Sequence, residues 1–234
     1  MDLLIRLNNQ TVGRDKIIRL CQYGSRLGWY YTQNKLMAYR SNDILKSLEY
    51  TFSSFRKLLR LGRFLDSLYS ALSSIKYPNL VIRITVTLSK ISNALYLLAD
   101  HIIWVGRAGL CKVNIEKWNT IANKYWLMTI IMNLTRDIYE IVKIMEEYNL
   151  GRLSKQVNLN SKNYRYDRYR ALFYLTSHKD VVLDTIKNGC DLFIPLTNLG
   201  YTKFSPGMVG ILGFISSAVG IYCLIDPLAK LSPA

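Results

Sequence analysis

Charge is scarce in this chain and one-sided: 20% of the 234 residues are charged, and 31 Lys and Arg stand against 16 Asp and Glu. Soluble globular domains carry about 25% charged residues, so the deficit argues against an ordinary soluble domain. Histidine is nearly missing, and His101 and His178 are too few and too far apart for a metal cluster. The four cysteines, Cys21, Cys111, Cys190 and Cys223, form no CxxC or CxxxC pair. That spacing argues against a zinc site and, with no secretory signal, against a disulfide framework; reduced, packed thiols are expected. No Gly-x-Ser-x-Gly elbow, phosphate-binding glycine loop or dinucleotide fingerprint occurs, so the expectation is a non-enzymatic protein with no cofactor and no metal. Alternation of period two, Asn-Gly hairpins and internal repeats are missing as well, which leaves an all-α fold class. Met1-Asp2-Leu3-Leu4-Ile5-Arg6 lacks the layout of a signal peptide, and Ser232-Pro233-Ala234 is neither an ER-retention nor a peroxisomal matrix address. Targeting information is therefore expected inside the chain.

Apolar residues make up half the chain, mean hydropathy is +0.08 and the formal net charge is +15. Apolar and basic together suit a protein that sits in a membrane and touches anionic headgroups. The charge is uneven. Residues 1–63 hold 12 Lys and Arg against 4 acids, residues 64–150 hold 9 against 7, and the remainder 10 against 5. The N-terminal quarter is thus the part suited to an anionic surface, the alternative being that its cations only solubilise an apolar chain.

Helical spacing runs through the sequence. Ile17, Leu20, Cys21, Gly24, Leu27, Gly28 and Tyr31 recur at steps of three and four. Further helices are predicted over about 43–75, stopped by Pro78, then 80–105, 115–148, and 166–194 with a break near His178. Four regions follow. Residues 1–78 form a basic helical region and 79–148 central helices, either partly embedded or packed as a bundle. Residues 149–163 form a polar loop, and 164–234 form C-terminal helices ending in a membrane span.

That span is 204–225, a run without a charged residue between Lys203 and Asp226. As a helix rising ~1.5 Å per residue it is roughly 33 Å long, enough to cross a bilayer core. Gly207, Gly210, Gly213, Ser216, Ser217 and Gly220 set small residues three or four apart, the pattern by which membrane helices approach closely. Self-association through this face is one expectation; a buried helix of a soluble bundle is the alternative, in which glycine is a costly choice.

The stretch 55–75 is predicted to be one amphipathic helix. Leu58, Leu61, Leu65, Leu68, Tyr69, Leu72 and Ile75 fall on one side; Arg56, Arg60 and Arg63, then Ser67, Ser70 and Ser74, fall on the other, with Lys57 at the border. Together with Phe55 these residues are the candidate membrane-binding site. Two readings are open. The helix lies in the headgroup plane with leucines in the acyl boundary and cations on anionic lipid, or it is a bundle helix with leucines inside and arginines in water. Asp100-His101 within an apolar helix either lines a polar pathway or faces a bundle interior. Tyr164–Arg170 interleaves aromatic and basic residues, which suits a lipid interface better than nucleic acid here.

Several blocks resemble the peroxin-11 family of peroxisomal membrane proteins. They are Asn9–Lys16 with Gln22-Tyr23, Arg56–Gly62, Asp100–Trp104, Arg136–Glu140, Asp184–Asn188, Pro195-Leu196 and the glycine-serine span 207–220. The resemblance covers nearly the whole chain in the family's order. It implies an integral protein of the peroxisomal membrane that elongates the organelle and promotes its proliferation and fission through the helix at 55–75. It also implies self-association into a homo-oligomer, contact with anionic membrane lipids, an import receptor for peroxisomal membrane proteins, and a fission adaptor with a dynamin-related GTPase. A pore for small metabolites is the alternative role that the resemblance carries.

Overall fold

The computed structural model describes residues 7, 9–33, 39–156, 174, 176–229 and 231–232. Seven α-helices account for most of them: α1 Thr11–Thr32, α2 Tyr39–Leu59, α3 Arg63–Ser74, α4 Leu80–Arg107, α5 Ile115–Gln156, α6 Lys179–Asn198 and α7 Pro206–Ile225, with a short 3-10 turn at Pro227–Ala229. No strand occurs among the described residues.

Local chemistry sets the helix ends. The Asn79 side chain, just after Pro78, accepts from the amides of Val81 (2.9 Å) and Ile82 (3.3 Å) and so caps α4. Ser205 accepts from the Met208 amide at 3.2 Å and Pro206 takes the first helical position of α7, where its missing N–H costs nothing. Two predictions about element boundaries are corrected. Residues 55–75 are not one helix: α2 stops at Leu59, Gly62 adopts φ +81°, and α3 starts at Arg63. That left-handed conformation is a common helix terminator open to glycine and costly for a residue with a Cβ. The predicted loop at 149–163 is also shortened, because α5 continues through Gln156. The rest of that loop, the Tyr164–Arg170 tract and the predicted start of a helix at 166 lie outside the described residues.

Six helices form a closed ring. Around it α1 packs on α2, α2 on α4, α4 on α5, α5 on α6, α6 on α7, and α7 returns to α1; α3 lies against α4. The α1–α7 seam is the tightest contact. A Cβ placed on Gly207 would collide with the Tyr30 ring and one on Gly213 with the Tyr23 ring. One on Gly210 would come within 2.9 Å of Leu27, and one on Gly220 within 3.3 Å of Lys16. The pairs 16–220, 23–213, 27–210 and 30–207 run in opposite directions, so α1 and α7 are antiparallel, large side chains lying on small ones. The small-residue face predicted to join two copies is therefore covered by α1 of the same chain.

Polarity is arranged inward. Asp15, Arg19, Arg60, Asp100, Arg136, Asp137 and Asp191 are all buried, and buried apolar side chains form three small clusters with others, such as Ile82, Val86, Leu97 and Ile130, scattered between them. On α4 the stripe Leu80, Ile84, Leu88, Ile91, Leu95 and Leu98 is exposed, whereas Thr85, Ser89 and Ser92 are buried. On α7, Met208, Phe214, Ile215 and Tyr222 face out while Ser216 and Ser217 are fully buried. In water such an exterior would be an extended apolar patch of the kind monomeric soluble proteins avoid; in hydrocarbon it is the favourable side. Among the described residues two helices, α4 and α7, are long and apolar enough to cross a membrane.

Candidate functional site: charged interior and leucine exterior

The stretch that drew attention in the sequence has two faces with separate fates. The eight residues of its predicted apolar face stand exposed: Phe55, Leu58 and Leu61 on α2 and the turn, then Leu65, Leu68, Tyr69 and Leu72 on α3 and Ile75 just beyond, from 40% for Leu58 to 75% for Tyr69. Within the chain these residues therefore lie outside any core. The cations, by contrast, turn inward. Lys57 and Arg60 are buried, Arg56 and Arg63 half-buried, and Ser67 and Ser74 buried beneath α3.

The interior holds Arg56, Lys57 and Arg60 through two carboxylates from distant helices. Arg56 donates from Nε to Asp15 Oδ1 at 3.0 Å and from a terminal nitrogen to Gln22 Oε1 at 2.8 Å, tying α2 to α1. Arg60 meets Asp100 Oδ2 at 2.7 Å, donates to the Tyr96 hydroxyl at 2.7 Å, and its Nε lies 3.8 Å from Asp15. Lys57 pairs with Asp100 as well. Burial pushes the Asp15 carboxyl up, but Arg56 and Arg60 outweigh it and hold it well below the usual carboxylate range. Across the ring, Arg19 of α1 pairs with Asp191 of α6 and lies over the rings of Tyr23 (5.5 Å) and Trp126 (5.9 Å). Burial raises Asp191, and again the guanidinium wins and lowers it.

A second network joins α5 to α6. Arg136 pairs with Asp137 at 2.9 Å and with Asp184, Lys187 pairs with Asp184, and Asn188 donates to Asp137 at 2.7 Å and Asp184 at 3.2 Å. Burial and the neighbouring Asp184 charge raise Asp137, while Lys187 and Arg136 overcome burial to lower Asp184. Pairing of this completeness is what makes buried charge tolerable, since either partner alone would bear the full desolvation penalty.

Between these networks the ring forms a half-open cavity of about 540 Å³. Asp100 lines it; His101 does not, instead placing Nε2 2.9 Å from the Arg60 carbonyl and its ring edge-on to Phe64. Of the cysteines, Cys21 and Cys111 are exposed rather than packed, because both lie on the outer surface of the ring and its connections. Sequence reasoning missed the structural roles of Asp15, Arg19 and Asp191. The available signal was charge placed among helical apolar positions, which reads as a buried pair only once a partner helix is known.

The chain matches the family described as peroxisomal biogenesis factor 11 over residues 1–225. It is 33% identical to peroxisomal membrane protein 11B of Bos taurus over 258 aligned residues, covering 100% of both chains. It is 33% identical to peroxisomal membrane protein 11A of the same organism, covering 99% of each. A peroxisomal membrane protein 11 homolog of Dictyostelium discoideum is 29% identical over 95% of this chain and 93% of its own. No solved structure matches. Most of the inward-facing charges fall in the blocks that carry the family resemblance, namely Asp15, Arg56, Lys57, Arg60, Asp100, Arg136, Asp137, Asp184 and Lys187, while Arg19 and Asp191 lie outside them. With two membrane-length helices and an apolar exterior beside these matches, the chain belongs to the peroxisomal biogenesis factor 11 family, a family of peroxisomal membrane proteins not known as enzymes, and has a role in peroxisome biogenesis.

Proposed function

We propose that this protein elongates the peroxisomal membrane and thereby promotes proliferation and fission of the organelle. One observation carries the reading: the leucine face of α2 and α3 is exposed along its whole length while the opposite face is locked to α1 and α4. A large apolar side chain gains about 1.5–3 kcal/mol on full burial. Eight half-exposed ones together supply several kcal/mol for inserting this helical pair into one leaflet. Inserted area in the cytosolic leaflet without matching area in the other favours curvature, and α7 keeps the wedge anchored. Because Arg56, Lys57 and Arg60 are spent on Asp15 and Asp100, insertion rests on the leucines, with little help from headgroup charge through these three. Homo-oligomer formation, an import receptor, and recruitment of a fission adaptor with a dynamin-related GTPase belong to the same proposal on the family resemblance. Self-association then uses a surface other than the α7 glycines.

The test is peroxisome length in cells and tubulation of liposomes by the full chain carrying Leu65→Glu with Leu72→Glu. Loss of both activities in a protein that still inserts α7 is the expected result; unchanged tubulation would end the wedge reading.

The pore reading has its own support in the closed helix ring and its 540 Å³ polar cavity. It predicts solute flux through reconstituted protein that changes with Asp100→Asn and not with His101→Ala, since only the first residue lines the cavity. Flux no greater than that of empty bilayers removes it.

A further inference from the structure

The charge around the central cavity does not balance. Eight Lys and Arg side chains line it against three carboxylates, Asp15, Asp100 and Asp191. Glu49, off the lining, compensates one more by pairing with Arg26. Two of the lining cations, Lys16 and Arg63, have no carboxylate within ion-pair distance among the described residues, and Arg107 meets the hydroxyls of Ser54 at 3.0 Å and Ser53 at 3.5 Å and the face of Tyr50. Lys16 is the sharpest case. Burial, then the charges of Arg19 and Lys187, bring its ammonium down to about 7. Its side chain also lines a second cavity of about 340 Å³, whose wall adds Lys90, Arg136 and Lys187 against Asp184. An excess of several positive charges inside a low-dielectric helix ring is unfavourable unless an anion joins it.

We propose that the central cavity is an anion-binding site for a phosphate-bearing group, with Lys16 and Arg63 as ligands not already committed to the protein's own carboxylates. Several excess cations call for a polyanion, and guanidinium forks match phosphate oxygens in geometry as well as charge. The size lies within the roughly 300–1,000 Å³ of small-molecule sites. Asn93, Asn119 and Asn123 on the same wall offer amide donors, and the stacked Tyr96 and Trp126 rings, 5.9 Å apart, form its apolar side. A soluble phosphorylated molecule and a phospholipid headgroup share this chemistry. The inference requires the cavity alone and is independent of the wedge and of solute conduction.

The experiment uses the full chain in phosphatidylcholine nanodiscs, titrated calorimetrically with inorganic pyrophosphate. In a parallel arm, nanodiscs containing phosphatidylinositol 4-phosphate are analysed for lipid retained by the protein. Lys16→Gln and Arg63→Gln are each expected to weaken binding about tenfold or more, as loss of a charge-assisted hydrogen bond does. Neither breaks a described ion pair, and unfolding temperatures near that of the wild type confirm the fold. Lys112→Gln, an exposed cation away from the cavity, removes the same net charge and should bind as the wild type does. Pyrophosphate binding that depends on Lys16 and Arg63 assigns a soluble ligand; retention of the phosphoinositide alone, with the same dependence, assigns a lipid headgroup. No binding in either arm, or binding that both variants leave unchanged, overturns the proposal.

Discussion

The α1–α7 seam and the α2–α3 face are built from similar materials and end up opposite. Both set apolar residues at helical spacing beside small or polar ones. In the seam, Tyr23, Leu27 and Tyr30 find glycines on α7 and are drawn inward. On α2 and α3 the leucines find no such partner, and the cations on the other side find Asp15 and Asp100 instead. Which face of an amphipathic helix turns inward is thus a matter of which one meets complementary surface. The seam is a structural device, and the leucine face is left exposed.

That contrast can be broken first at its charged root. Asp100→Ala should cost about 3–5 kcal/mol, because it strands Lys57 and Arg60 in a buried site. Thermal unfolding in nanodiscs measures this, and Lys57→Met with Arg60→Met and Asp100→Leu should recover most of the loss. A cost near zero would mean the cations reach water after all. Next in size, Gly213→Val should destabilise by about 1–3 kcal/mol through collision with the Tyr23 ring, with partial rescue by Tyr23→Ala. Equal stability would show that α7 does not lie on α1.

Smaller effects sharpen the comparison. In a buffer free of phosphate, stability should rise with pH from about 7 towards 10.5, the window between the folded and free values for Lys16, because the unfolded chain holds the extra proton there. Lys16 sits among Asp15, Arg19, Lys187 and Asp191. Lys16→Met should flatten that slope and raise the unfolding temperature below pH 7. Smallest of all, Leu65→Glu alone should change folding stability by no more than about 0.5 kcal/mol, as surface substitutions do. A large loss of stability from that variant would place Leu65 in a core and erase the distinction between seam and face.

Much of the helical plan was legible in advance. Pro78 and Asn79 marked one boundary, Pro206 and Asp226 the ends of α7, and the steps of three and four in α1 its helical character. Gly62 was legible as a glycine but not as a break, because one glycine is tolerated within a helix and only its positive φ ends α2. The small residues of α7 lie against α1 of the same chain, where the sequence offered a second copy as one expectation, since glycine spacing signals close approach without naming what approaches. Arg56 and Arg60 were left between headgroups and water because their partners Asp15 and Asp100 lie some 40 positions away in either direction, beyond any local pattern.

By itself, then, the sequence determined an all-α chain with membrane-length helices, two chemically distinct faces on residues 55–75, and membership of a peroxisomal membrane family. The tertiary structure alone decided that the leucines face out and the cations in. The physical reason is that amphipathic periodicity is unchanged when inside and outside are exchanged. A repeat of about 100° per residue separates the faces without saying which is buried. Here that choice fell to carboxylates on α1 and α4, brought to the cations only when the ring closed.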